Sequence, residues 1–150
     1  AAAVGVVLML HFTGMFAPSL LVGRLADRVG RRPTILAGLA TLAMGGFVCA
    51  LPWGVPGLAA GLLLIGTGWS LAFIGATVLL ADAVPVARRA RTIGLADLVT
   101  SLFAAGVTAL AGPWFAANGI AGLGIAAAAL VALPAIAVVT MRAQRPAAAG

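Results

Sequence analysis

Charge is scarce in this sequence, and it is unevenly placed. The stretch Gly23-Arg24-Leu25-Ala26-Asp27-Arg28-Val29-Gly30-Arg31-Arg32-Pro33 holds four of the nine arginines and one of the three aspartates, with apolar runs on both sides. Its chemistry is electrostatic and conformational. Asp27 can face a helix N-terminus, where negative charge is favoured. Gly30 permits the positive φ of a sharp reversal. Pro33 suits the first position of the next helix, where its missing N–H would be unpaired anyway. Gly23 has no side chain to hold a neighbouring helix away. From the residues alone this is a water-exposed turn between two membrane spans, either a topological anchor or a moving part.

The remaining candidates lie inside apolar runs, where ionisable groups are costly and point to function. His11 sits near the middle of the first run. It is a proton-exchange candidate, because imidazole titrates near neutrality, or else a neutral side chain bonded to a neighbouring helix. Asp97, Ser101 and Thr108 share one face of the fourth run by i, i+4, i+11 spacing, with Thr100 beside them. That stripe fits a substrate or proton pathway, or a structural bond to a loop arginine. Ser70 and Thr77 share a face of the third run with Gly66 and Phe73, which suits a cavity wall or a packing seam. Trp69 can stack on a substrate or fill the core. Asp82, at the end of the same run, is expected to cap it or to pair with Arg88 or Arg89.

Other chemistries find no residues. One histidine and one cysteine, Cys49, lie far apart and supply no metal-ligand set. No Ser/His/Asp cluster or phosphate-binding glycine loop is present, so neither an enzyme nor a cofactor is expected. A net charge of +6 could suggest nucleic acid. The basic residues are all arginines in short gaps between apolar runs, with no contiguous face for a phosphate backbone.

The elements that must position these groups are membrane helices. The chain is 63% hydrophobic and 8% charged, with mean hydropathy +1.20. A soluble domain carries about a quarter charged residues. A spanning helix needs about 20 apolar residues, and five such runs occur, at about 3–22, 34–52, 57–81, 92–112 and 119–141. Short gaps make sequential helices antiparallel neighbours. All nine arginines fall in the first gap, the third gap and the tail after the fifth run. Positive charge marks the cytoplasmic side, so the N-terminus is expected outside and the C-terminus inside. Trp53 and Trp114 then fall at outer span ends, where indoles favour the interface. Gly68, Ala72 and Ala76, and likewise Gly124, Ala128 and Ala132, form small-residue stripes for helix packing. Pro18 and Pro134 should kink their spans, and Pro113 should end the fourth. Ala1 already lies within an apolar run, which suggests further sequence upstream.

The first gap also resembles a known signature. Gly23, Asp27, Arg28, Gly30, Arg31 and Arg32 reproduce the Gly-x-x-x-Asp-Arg-x-Gly-Arg-Arg loop of the major facilitator superfamily of secondary transporters. The resemblance implies an all-α polytopic bundle, five helices of a twelve-helix fold, with this loop as a gating element. The third span lacks the arginine usual in the first half of the family. The segments 10–19 and 66–70 look like second-half segments of bacterial members. Residues 1–150 therefore read as a partial C-terminal six-helix bundle, helices eight to twelve. The implied activity is transport of a small solute by alternating access, with protons as a possible coupling ion. The implied setting is the bacterial inner membrane, with the bilayer, a small-molecule substrate and the missing N-terminal helices as partners. A membrane scaffold that uses the helices only for packing is the alternative.

Overall fold

The computed structural model describes residues 2–141. Its elements are α1 (Ala2–Phe16), α2 (Ser19–Val29), α3 (Arg31–Ala50), α4 (Gly54–Ala83), α5 (Val86–Leu130) and α6 (Ala132–Thr140), with no strand among the described residues.

Helices α1 and α2 form one apolar run, interrupted at Pro18. The amide of Ala17 still donates to Thr13 O at 2.9 Å, and the amides of Leu21 and Val22 both donate to Pro18 O. Proline has no N–H to carry the ladder through, so the helix restarts there. Helix α2 is amphipathic. It buries Val22 and Ala26 while Arg24, Asp27 and Arg28 stay exposed. Gly30 follows at φ 97°, a left-handed region that side chains resist. The turn is tied from the far side by the Thr34 hydroxyl, which donates to Gly30 O at 2.8 Å.

Helix α4 is the hub, packed against α1 on one face and α3 on another. These contacts are backbone to backbone. A Cβ on Gly38 would strike the Ala72 amide, and one on Gly45 would lie 2.7 Å from Gly61 O. On the α1 side, a Cβ on Gly14 would lie 2.6 Å from Leu63 O. Lipid tails are as apolar as leucine, so helices in a bilayer associate through such close packing rather than through water exclusion. The two small-residue stripes are used in part. Gly68 and Ala72 meet α3, while Gly124 and Ala128 meet Gly46 and Ala50 of α3. Ala76 and Ala132 are exposed.

Helix α5 differs from expectation. It runs through Pro113 and breaks at Gly119, with φ 65° and ψ −169°. The chain reverses there. Trp114 Nε1 donates to Gly122 O at 3.1 Å, eight residues on. In a straight helix those residues would stand about 12 Å apart along the axis. Residues 86–118 lie on one side of the break and 120–130 on the other, the latter against α3. A second interruption at Val131 separates α6, with Pro134 in its first turn.

Four runs are long and apolar enough to cross a membrane. The last, Val86–Thr140, has 55 residues. At about 1.5 Å per residue that exceeds twice the roughly 30 Å hydrocarbon core. With the Gly119 reversal it is long enough for two passes. Large apolar side chains such as Leu20, Leu98, Val99 and Leu110 are exposed along the outside. In water such a surface would be a liability; in a bilayer it faces acyl chains.

Candidate functional site

The signature loop is built around Arg31, the first residue of α3. Its Nη1 donates to Asp27 Oδ1 at 2.6 Å and to Ala26 O at 2.9 Å. Its Nε donates to Asp82 Oδ2 at 3.1 Å. One guanidinium thus joins the last turn of α2, the start of α3 and the end of α4. Its fork of rigid donors suits that task, which a lysine point charge would do less well. The bond to Ala26 O, which also accepts from the Gly30 amide, places a cation at a helix C-terminus, where cations are favoured. The side chain of Arg31 is 26% exposed, against 67% for Asp27 and 54% for Asp82, so water reaches the clamp and salt can screen it.

This arrangement corrects one expectation. Asp82 pairs with Arg31, not with Arg88 or Arg89; Arg89 Nε donates instead to Val84 O at 3.3 Å. Arg31 is more than a topological charge, since it ties three helices together. Asp27 meets an arginine within its own turn. Nothing among the described residues approaches Gly23, whose added Cβ would find open space. Arg28 is exposed and Arg32 half-buried.

The intramembrane candidates are dispersed. His11 Nδ1 lies 2.9 Å from Leu62 O, and since a carbonyl accepts, that nitrogen donates. The imidazole is thereby a tie between α1 and α4. Asp97, Ser101 and Thr108 are all exposed on residues 86–118 of α5. The Thr108 hydroxyl donates to Ala104 O of its own helix at 2.8 Å. No hydrogen bond or ion pair links His11 with Asp97 among the described residues. Ser70 is fully buried in α4, and its Oγ has no hydrogen-bond partner among the described residues. Thr77 is half-buried on the same helix.

An aromatic group missing from the expected pathway stands out in α4. Trp69 stacks on Phe73, with ring centroids 4.6 Å apart and planes 10° apart, and Phe16 meets it edge-on at 6.4 Å. Trp69 also lines two cavities. The sequence marks Trp69 as a stacking or core residue and Phe73 as part of a cavity wall or packing seam, but shows neither their pairing nor the space beside them.

No group of three or more His, Cys, Asp or Glu side chains able to hold a metal occurs among the described residues.

The sequence profile of the Major Facilitator Superfamily matches residues 1–150. The uncharacterized MFS-type transporter YdeG of Bacillus subtilis is 36% identical over 115 residues, 73% of this chain and 26% of that protein. The riboflavin transporter RfnT of Brucella anthropi is 35% identical over 95 residues, 59% of this chain and 22% of that protein. The multidrug resistance protein MdtL of Escherichia coli is 30% identical over 92 residues, 61% of this chain and 24% of that protein. The chain spans about a quarter of the length of these relatives. No solved structure matches it. The signature loop, the apolar helices and the profile agree, and the chain belongs to the major facilitator superfamily of membrane transporters.

Proposed function

We propose that this chain is the C-terminal part of an inner-membrane secondary transporter that moves a small organic solute by alternating access. The Arg31 clamp carries the reading. It is a water-accessible junction of exposed charges at the arginine-rich end of the bundle, joining α2, α3 and α4. Such a junction is weak enough to open and re-form within a transport cycle, because exposed ion pairs contribute little net stability. Alternating access needs contacts of that kind, since two states within a few kcal/mol must exchange. Half of the solute site would come from helices outside this chain. Relatives named for riboflavin and for multidrug resistance support a small organic cargo.

In this account the arginine-rich end is cytoplasmic. Gly23, Asp27, Arg28, Gly30, Arg31 and Arg32 form the gate. The open space beside Gly23 and the exposed Asp97, Ser101 and Thr108 face are where the other half of the transporter packs. Asp97 is the stronger proton-pathway candidate, because the His11 imidazole is committed to Leu62 O. The test is solute uptake by the full-length transporter in proteoliposomes, with and without an imposed pH gradient. Uptake that follows the gradient supports the reading. A complete protein that moves no solute under any gradient is a scaffold.

A further inference from the structure

Two apolar cavities lie between α3 and α4 on one side and α5 and α6 on the other. One, of about 800 Å³, opens beside Arg31 and Arg32. The other, of about 1000 Å³, extends toward Trp114 and Asn118. Leu39, Trp69 and Pro134 line both, so the two adjoin at these side chains as one cleft. No acidic side chain lines either part, and no ionisable side chain of any kind lines the part toward Trp114.

We propose that this cleft binds a flat, uncharged aromatic molecule with a hydrogen-bond acceptor, and that Trp69 is its principal contact; as the cargo class, this rests on the transporter reading above. Three observations converge. First, no ionisable side chain lines the part toward Trp114, so a formal charge there would be taken out of water with nothing to pair it. Second, the Trp69–Phe73 stack forms part of the cleft wall, and Trp69 lines both parts. Aromatic rings prefer offset or edge contacts with other rings, so this surface selects a planar ring over a flexible chain. Third, the Trp69 indole N–H has no acceptor among the described residues, whereas the Trp114 indole N–H is bonded to Gly122 O. An indole N–H at membrane depth usually finds a partner. A ligand carbonyl or ring nitrogen supplies one.

Binding is measurable on this chain in lipid nanodiscs, independently of transport. N-methylacridone is planar, neutral and carries a carbonyl acceptor; anthracene is planar and lacks one. Each is measured as the excess bound over protein-free nanodiscs of the same lipid. The wild-type chain should hold both above the lipid background and prefer N-methylacridone. Trp69→Phe keeps a ring and removes the donor. It should erase that preference, a loss of about 3–10-fold in affinity, the size expected for one hydrogen bond. Trp69→Leu should weaken both probes, and Trp53→Phe, at the exposed far end of the bundle, should change neither. Absence of excess binding by the wild type, a preference that survives Trp69→Phe, or unchanged binding by Trp69→Leu would each overturn the proposal. A full-length protein that moves no solute while this chain still binds N-methylacridone would remove the transport reading and leave the cleft standing.

Discussion

Arg31 and His11 show how differently polar residues serve this bundle. Arg31 sits where water reaches it, so its bonds to Asp27 and Asp82 are exchangeable. His11 sits within an apolar run, and its half-buried bond to Leu62 O joins α1 to α4. Hydrogen bonds between membrane helices contribute about 0.6 kcal/mol on average, up to about 1.7. His11→Leu should therefore lower the unfolding free energy of the detergent-solubilised chain by about that amount. His11→Gln, which keeps a donor, should recover part of it. A chemical-denaturation series checks both, and a His11→Leu variant as stable as wild type would mean that the tie contributes nothing. The two residues also differ in how much of their role could be read in advance. Asp27 and Arg31 stand only four apart, on either side of the Gly30 turn, so the contact is local in the chain. Asp82 is 51 residues from Arg31, and only the packing of α4 along α2 and α3 delivers it. A local reading gave it the nearer arginines, Arg88 and Arg89.

Between elements, the seams depend on missing side chains. Gly38 and Gly94 make a matched test. A Cβ on Gly38 would strike the backbone of α4 at Ala72, and backbone cannot rotate aside. A Cβ on Gly94 would meet nothing within 4 Å. Gly38→Ala should destabilise the bundle by about 1–3 kcal/mol, the range for overpacking a tight interface. Gly94→Ala should be neutral or stabilising by up to about 1 kcal/mol, since alanine is the better helix former. Thermal unfolding of both variants in one detergent separates them. Equal behaviour would deny that α3 and α4 touch at Gly38. The helices themselves were legible, because long apolar runs bounded by charge or proline leave few alternatives. Pro18 marks a break as expected, and so, nearly, does Pro134. Pro113 does not. Its missing N–H removes one ladder bond, which a helix can tolerate, while Gly119 takes up the positive φ that turns the chain. Glycine is so frequent here that nothing in the sequence distinguished Gly119 from its neighbours.

For the whole molecule, the family was legible in six residues of one loop, but a cleft was not. Cavities arise from how far apart helices settle, and the residues facing this one, Leu39, Phe103, Val107 and Leu130 among them, look like any lipid-facing set. Orientation follows from arginine placement, which should put Gly54 outside and Ala87 in the cytoplasm. Single-cysteine variants Gly54→Cys and Ala87→Cys, in a Cys49→Ser background and labelled in intact cells with a membrane-impermeant maleimide, test it. Gly54→Cys should react and Ala87→Cys should not. Labelling of Ala87→Cys from outside would invert the topology.

The central claim is that the Arg31 clamp holds one end of a moving bundle closed. The most direct measurement is the rate at which a maleimide reaches Leu80→Cys, on the wall of the cleft near Arg31, in the full-length transporter in inside-out membrane vesicles. Asp82→Asn removes the carboxylate that links α4 to Arg31 and leaves the helix intact. The account predicts that this variant labels several-fold faster than its Asp82 parent and transports more slowly. It also predicts that the difference shrinks as ionic strength rises from about 0.1 M to about 1 M, where the screening length falls from about 10 Å to about 3 Å. Equal labelling rates at every salt concentration, together with normal uptake, would contradict it.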